Sequence, residues 1–100
     1  MIVRIFDTAI NPDDVARSIE LFRTQVVPVF ESFPGCLGIE MLIGTQERSG
    51  DLVDVLAISR WDSPGAAEDA TGTARYAQAM REVRQLFQQT PIVRHFVPAE

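Results

Sequence analysis

The sequence contains no lysine, because all nine of its basic residues are arginine. Schiff-base chemistry through a chain lysine, including that of pyridoxal phosphate, is therefore excluded for this sequence. Cysteine and histidine occur once each, as Cys36 and His95. An internal disulfide is thus impossible, and a metal site would need several carboxylates around these two side chains. We expect no metal, no cofactor and a reducing compartment.

Long apolar runs are also missing. None approaches the roughly 20 residues that span a membrane, and acidic residues interrupt the first 14 positions too early for a signal peptide. We therefore expect a soluble, cytoplasmic protein with no membrane partner. The formal net charge of −5 argues against nucleic acid as a partner, because such binding depends on basic side chains that neutralise phosphates.

What the sequence does contain is enough for one folded domain. A chain of 100 residues can bury roughly 60 to 70% of the surface that it exposes when unfolded. No repeat, linker or low-complexity segment divides it. We expect a single domain over residues 1–100.

Strand and helix patterns alternate along the chain. Both helices have clear start signals: Asn11 precedes Pro12, and Ser63 precedes Pro64. Pro28 predicts a kink or a break in the first helix, and Thr73 predicts a second start in the other. The polar residues 46–51 predict a turn between two strands. Four segments have the apolar, β-branched character of strands: 3–9, 39–45, 52–61 and 92–97.

This order of elements, βαββαβ, predicts an α+β, ferredoxin-like fold with one antiparallel sheet and both helices on one of its faces. Alternation predicts that the other face is apolar and needs a partner, most simply a second copy of the chain packed sheet to sheet. Arg4, Asp54 and Arg60 share the parity of that face, so we expect some of them to pair at the interface. The apolar side chains expected there are Phe6, Leu42, Leu56 and Ile58, with either Ile92 and Phe96 or Val93 and Val97.

Several motifs in this order resemble a known family. The long first helix ends in FPGCLG, a later strand ends in RWDS, and the last helix restarts near ARYAQAM. Together they are similar to the antibiotic biosynthesis monooxygenase domain of the dimeric α+β barrel superfamily. The resemblance covers nearly the whole chain, and its main markers are Pro34, Gly35, Trp61 and Ser63.

The resemblance implies a reaction chamber between sheet and helices. Relatives include cofactor-independent oxygenases that convert polycyclic phenols or quinols to quinones, and enzymes that degrade heme. In the oxygenases an Asn and a Tyr surround the substrate beside the tryptophan that matches Trp61, and here Ala57 and Ala67 occupy their positions. In the heme-degrading enzymes three other residues do the work. Their closest counterparts here are Asp7, Ala70 and Met80, and these residue types do not match that branch either.

Candidate binding residues follow from the chamber that the resemblance implies. Trp61 and Ser59 share a strand face that should point toward the helices, where Trp61 either stacks on a flat aromatic ligand or completes the core. Tyr76 and Met80 lie on the apolar stripe of the last helix, and each is either a binding residue or part of the core.

Two residues are candidates for proton transfer. Asp7 interrupts the first strand, and a carboxylate there could act as a general base on a phenol or bond to a nearby loop. His95 is the sole imidazole and the natural proton shuttle near neutral pH, although a lone histidine on an edge strand is more often structural. Cys36 has no adjacent base in the sequence, and we interpret it as a small apolar filler.

The resemblance therefore implies a monooxygenase-like protein. The favoured activity is cofactor-independent oxygenation of an aromatic or quinol-type small molecule held between sheet and helices. The alternative is a module of the same fold that binds a small apolar molecule without turnover, or that serves only as a structural dimer.

Overall fold

A computed structural model describes residues 1–46 and 50–99 of the chain. The predicted turn at 46–51 falls partly on residues 47–49, which lie outside the described residues. The first strand is β1 (Ile2–Ile10). The first helical segment follows and has four parts: a 3₁₀ turn (Pro12–Asp14), α1 (Val15–Leu21), a π-helical turn (Phe22–Val26) and α2 (Val27–Glu31). The remaining elements are β2 (Cys36–Ile43), β3 (Val53–Trp61), α3 (Pro64–Thr71), α4 (Ala74–Arg84) and β4 (Ile92–Phe96).

The strands form one antiparallel sheet in the order β2-β3-β1-β4. This is the strand order of a ferredoxin-like α+β fold, which the succession of elements predicted. The core lies between one sheet face and the helices, where Phe6 and Trp61 pack with Phe30 and Tyr76. The expected α+β architecture, with the helices over one face, is confirmed.

The start signals of the second helical region are confirmed. The Ser63 hydroxyl accepts a hydrogen bond from the backbone N–H of Ala66 at 3.2 Å, and the Thr73 hydroxyl accepts one from Tyr76 at 3.1 Å. Asn11 occupies the cap position of the first helical segment, but its side chain makes no cap hydrogen bond. Acidic side chains in the following turn still favour that helix end through its dipole.

The first helical segment does not break at Pro28. It widens instead into the π-helical turn just before the proline, where the backbone N–H of Val27 donates to the carbonyl of Phe22. A proline lacks an N–H and crowds the carbonyl of the preceding turn, so a wider turn at this point relieves both problems. The expected disturbance is present, displaced by one turn toward the N-terminus.

Gly35 joins the first helical segment to β2. Its φ of +82° is a conformation that residues with a side chain rarely adopt, and an added Cβ would lie 2.6 Å from Ala66 Cβ. Its carbonyl accepts a hydrogen bond from Asp62 N–H at 2.9 Å. The Pro34–Gly35 marker thus fastens the end of this segment against the start of α3.

The expected placement of Phe6 and Arg4 was wrong. The strand register sets Arg4 opposite Ser59 and Phe6 opposite Ala57, and both β1 side chains are buried on the helix side of the sheet. Both parities of β1 carry large apolar residues, so the local pattern could not decide which one faces the helices. Register with β3 and packing against the helices decide it.

The opposite face of the sheet is apolar and uncovered within the described chain. Register places Val3, Ile5, Leu56, Ile58 and Leu42 there, together with Ile92 and Phe96 of β4. Ile92 is 61% exposed and Phe96 45% exposed. Of the two alternatives for the last strand, the pair Ile92 and Phe96 is the one on this face.

No helix among residues 1–46 and 50–99 is both long and apolar enough to cross a bilayer.

Candidate functional site

A small cavity lies between the sheet and the helices. Its volume is about 40 Å³, taken as the space open to the centre of a water molecule. Its wall is almost entirely apolar, although four of the lining residues have polar side chains: Arg4, Thr8, Ser18 and Tyr76. The remaining wall consists of Phe6, Ile10, Phe22, Val26, Phe30, Ile39, Met41, Val55, Ala57, Met80, Val83 and Phe87.

Arg4 is the charged group of this cavity. Its side chain lies on β1 and is only 7% exposed. Its Nη2 donates a hydrogen bond to the Tyr76 hydroxyl at 3.2 Å, and the guanidinium carbon lies 5.6 Å from the ring centroids of both Phe6 and Tyr76. Among the described residues no carboxylate forms an ion pair with Arg4. A buried cation without an anionic partner is costly, so this end of the cavity favours negative charge.

Ser18 brings an unpaired hydroxyl to the same cavity. It lies on α1 and is 1% exposed, and its Oγ is the one buried side-chain polar atom among the described residues without a hydrogen-bond partner. Thr8 differs in this respect, because its hydroxyl donates to the carbonyl of Gln89 at 2.8 Å. Buried hydroxyls are normally paired, so Ser18 is a cavity-lining residue whose hydrogen-bonding capacity is unused.

The π-helical turn forms part of the wall. Phe22 begins this turn and Val26 ends it, and both side chains line the cavity. The Thr24 hydroxyl donates to the Glu20 carbonyl at 2.7 Å, which satisfies a backbone acceptor next to the widened turn. Such turns occur frequently at functional sites, since they change the direction of side chains within an otherwise regular helix.

Trp61 is not part of the cavity wall. It is fully buried, and its Nε1 donates to the Ser59 hydroxyl at 2.9 Å. Its ring lies 6.0 Å from that of Phe30 and 6.3 Å from that of Phe33. The geometry places Trp61 in the packed core with Ser59 as its hydrogen-bond partner, and a role in binding for these two residues stays a prediction.

The other candidates from sequence divide between the two sides of the sheet. Tyr76 and Met80 line the cavity. Asp7 lies on the uncovered face, where its Oδ2 is 3.5 Å from Arg94 Nη2. His95 is exposed on the edge strand β4. The structure therefore brings neither proposed proton carrier to the cavity.

Two cavity residues were missed as site candidates. Arg4 interrupts an apolar strand in the same way as Asp7, and that interruption was the available signal. Ser18 falls on the apolar stripe of the first helical segment, three residues after Val15 and four before Phe22. A polar residue at such a position predicts a buried hydroxyl.

Metal and thiol chemistry have little support in the described chain. Residues 1–46 and 50–99 contain no cluster of three or more His, Cys, Asp or Glu side chains that could hold a metal ion. Burial raises the pKa of the Cys36 thiol, a hydrogen bond with the backbone of Gly38 opposes this rise, and the charge of Glu31 adds to it. A thiol in this state is a weak nucleophile.

Comparison with known proteins identifies the family. The model of the family described as "Antibiotic biosynthesis monooxygenase" matches residues 1–82. The chain belongs to the antibiotic biosynthesis monooxygenase family. No curated protein gives a significant match to the sequence.

Solved structures agree with the fold of this monooxygenase family. A mutant of SnoaB, a cofactor-independent oxygenase from Streptomyces nogalater, is 18% identical with a TM-score of 0.75, covering 99% of this chain and 93% of that one. Rv0793 from Mycobacterium tuberculosis is 17% identical with a TM-score of 0.69, covering 99% and 95%. PA3566 from Pseudomonas aeruginosa is also 17% identical, with a TM-score of 0.67 and coverage of 99% and 94%.

The polar groups of this family member differ from those that its sequence resemblance implies. Ala57, at the expected amide position, lines the cavity, and Ala67, at the expected phenol position, is buried in the core. Hydrogen-bonding capacity comes instead from Arg4, Tyr76 and Ser18. The cavity thus keeps a polar end, supplied by different elements.

Proposed function

We propose that the chain is a cofactor-independent monooxygenase that oxidises an aromatic phenol or quinol to a quinone in the cavity between sheet and helices. Family membership supports the reaction class. The observation that carries the proposal is the buried pair of Arg4 and Tyr76 at one end of an otherwise apolar, aromatic-lined cavity. Such a site binds a flat ring and stabilises negative charge on its oxygen.

The reaction that fits this site needs dioxygen as its second substrate. Loss of a proton makes the phenol an electron-rich anion, which reduces dioxygen while a bond forms between a ring carbon and one oxygen atom. Elimination of water then breaks the O–O bond and leaves a second carbonyl on the ring. Overall, one phenol and one dioxygen give one quinone and one water. The protein orients the ring, excludes bulk water and stabilises the oxyanion.

The size of the cavity supports a second candidate function. An engineered cavity that binds benzene has a volume of about 150 Å³, and the cavity here measures about 40 Å³. A ring can enter only if the wall moves, and the unbranched side chains of Met41 and Met80 are the adaptable parts of it. If the wall stays closed, the chain is a structural module of the same fold. If the wall admits a ring that is not turned over, the chain is a binding module.

Oxygen consumption with a panel of hydroxylated naphthalenes and anthracenes tests the oxygenase proposal. We expect one dioxygen consumed per quinone formed, and a rate about 10²-fold lower in Tyr76→Phe, which keeps the ring and removes one charge-stabilising hydroxyl. Absence of oxygen uptake across the panel, combined with retention of a ring compound in native mass spectrometry, would favour the binding module.

Roles for Asp7 and His95 in proton transfer remain predictions, and the same assay tests them. Because neither side chain lines the cavity, Asp7→Asn and His95→Ala should leave the rate within about twofold of the wild type. A loss comparable with that of a general base, about 10²-fold or more, would restore the substituted residue as a catalytic residue. For Asp7 this would require substrate on the uncovered face, whereas His95 pairs with Arg4 in the strand register and lies on the helix side of the sheet.

The proposed assembly is a homodimer through the uncovered face of the sheet. Its apolar side chains are too numerous for a monomer in water, since single surfaces rarely expose more than a few hundred Å² of contiguous apolar area. Two copies packed face to face cover both sheets at once. A cytoplasmic location stays a prediction from the sequence alone.

A further inference from the structure

We infer that the cavity binds its aromatic ligand already ionised: Arg4 is the charge partner of a phenolate, and the Tyr76 and Ser18 hydroxyls are its hydrogen-bond donors. The inference rests on the proposed function only in using the same cavity. It adds the ionic form of the substrate and the means by which the substrate loses its proton. On this view no side-chain base is needed inside the cavity.

The charge of the site is the first argument. Arg4 is the most deeply buried arginine of the described chain, and its one side-chain hydrogen bond goes to the neutral Tyr76 hydroxyl. Arg75 also donates to a hydroxyl, that of Ser32, but it is exposed to solvent. Four exposed arginines, by contrast, lie within 3.5 Å of a carboxylate: Arg17 by Glu82, Arg23 by Glu20, Arg60 by Glu40 and Arg94 by Asp7. A buried cation is tolerated best when an anion joins it, and no protein group in the described chain does so. A ligand anion completes the pair.

The hydrogen-bonding character of the cavity is the second argument. Arg4 has five N–H donors, and the described chain supplies one acceptor for them, the Tyr76 hydroxyl. Since that hydroxyl accepts from Arg4, its own hydrogen remains to be donated. The Ser18 hydroxyl has no partner, and the Thr8 hydroxyl already donates to a carbonyl. The side chains therefore offer the cavity an excess of donors, which suits an oxygen that accepts without donating.

The apolar wall is the third argument, and it separates an aromatic anion from an inorganic one. Phe6, Phe22, Phe30 and Phe87 surround the space, and none of them can hydrogen-bond the remaining oxygens of a phosphate or sulfate. A phenolate has one charged oxygen for the polar end and a ring for the aromatic wall. The cavity must widen to admit that ring, which Met41 and Met80 allow.

The expected consequence is a downward shift in the pKa of a bound phenol. A cation at contact distance typically shifts the pKa of an acid by about 1 to 3 units toward the ionised form. A phenol that is mostly neutral in solution would then be mostly ionised in the cavity. The proton is released to solvent water as the phenolate binds, so the ring is ionised in the cavity before it reacts with dioxygen.

The test uses 4-nitrophenol, whose phenolate absorbs visible light, titrated with pH in the presence and absence of excess protein. We expect the bound probe to ionise at least one pH unit below the free probe in the wild type and in Arg81→Met, which removes an exposed arginine of α4. Arg4→Met should abolish the shift, and Arg4→Lys should restore part of it. Ser18→Ala should weaken binding of the phenolate about 2- to 10-fold. The uncharged 4-nitroanisole should bind at least about tenfold more weakly than the phenolate.

Other results would overturn the inference. A shift that persists in folded Arg4→Met, equal binding of 4-nitroanisole, or binding of inorganic phosphate alone would each do so. Circular dichroism checks that Arg4→Met folds, and if it does not, Arg4→Lys and Ser18→Ala carry the test. An Arg4-dependent shift without oxygen uptake from any phenol would leave the inference standing and refute the oxygenase. Oxygen uptake that is unchanged in Arg4→Met would refute the inference and leave the oxygenase proposal standing.

Discussion

Single residues in this protein take their roles from what surrounds them. Trp61 is a large aromatic at the end of a strand, a position equally suited to a binding wall and to a core. It is fully buried against Phe30, Phe33 and the Ser59 hydroxyl, and it does not line the cavity between sheet and helices. The sequence also left Tyr76 as either a core residue or a binding residue. The structure places it in the cavity wall, where its hydroxyl accepts a hydrogen bond from Arg4.

A substitution at Trp61 should therefore affect stability more than binding. Trp61→Phe removes part of a fully buried ring and leaves the Ser59 hydroxyl without its donor. We expect a loss of about 2 to 4 kcal/mol in the free energy of unfolding. Denaturant titration measures it, and the affinity for 4-nitrophenol should change less than about threefold. A large loss of affinity with stability intact would place the indole in the binding site after all.

Cys36 gives a prediction about pH. Burial raises the pKa of its thiol, so at neutral pH it should react with an aromatic disulfide reagent more slowly than a free cysteine, and faster as the pH rises. The folded state favours the protonated thiol. Its contribution to stability is thus present below the pKa of the unfolded thiol and is lost as the pH rises toward that of the folded one. The chain unfolded in guanidinium chloride serves as the control and should react at the rate of a free cysteine.

At the scale of elements, the helices begin where side chains satisfy backbone groups. Ser63 and Thr73 accept hydrogen bonds from the first turns of α3 and α4, and Asn11 makes no such bond at the start of the first helical segment. The three positions looked alike in the sequence. The segments that follow them differ, because Asn11 precedes a 3₁₀ turn whereas Ser63 and Thr73 precede α-helices.

Alanine substitutions should distinguish the two caps that make a hydrogen bond from the cap position that makes none. Ser63→Ala and Thr73→Ala should each lower the free energy of unfolding by about 1 kcal/mol. Asn11→Ala is the matched control and should cost less than about 0.5 kcal/mol, because its side chain makes no cap bond. Chemical denaturation of the three variants under one condition measures this. Equal losses at all three positions would show that the caps do not act through the observed hydrogen bonds.

At the scale of the whole molecule, the sheet has one face covered by helices and one face without a partner. Burying a Leu, Ile or Phe side chain contributes roughly 1.5 to 3 kcal/mol, and several of them share the uncovered face. Asp7 and Arg94 add an ion pair at the same surface. Covering this face would therefore stabilise the folded chain.

Sedimentation should show that two copies of the chain associate through this face as a dimer. The chain has a mass of 11.1 kDa, and we expect it to sediment at twice that mass at micromolar concentration. Leu42→Glu and Ile92→Glu replace side chains that are exposed in the single chain, so they should give folded monomers. Ile19→Glu is the control, because Ile19 is 44% exposed on α1, and it should remain dimeric. A wild-type chain that sediments as a monomer would contradict the dimer.

The sequence by itself determined the order of the elements, the caps of the second helical region and the presence of an apolar face beyond the reach of the helices. Each of these depends on neighbours in the chain or on a short periodicity. Only the tertiary structure decided that Arg4 and Phe6 face the helices, that Ser18 and Tyr76 meet the same cavity, and that Trp61 lies outside it. Alternation along a strand indicates which residues share a face, but it does not indicate which of the two faces the helices cover. That choice depends on the register between strands distant in sequence and on the packing of helices against them.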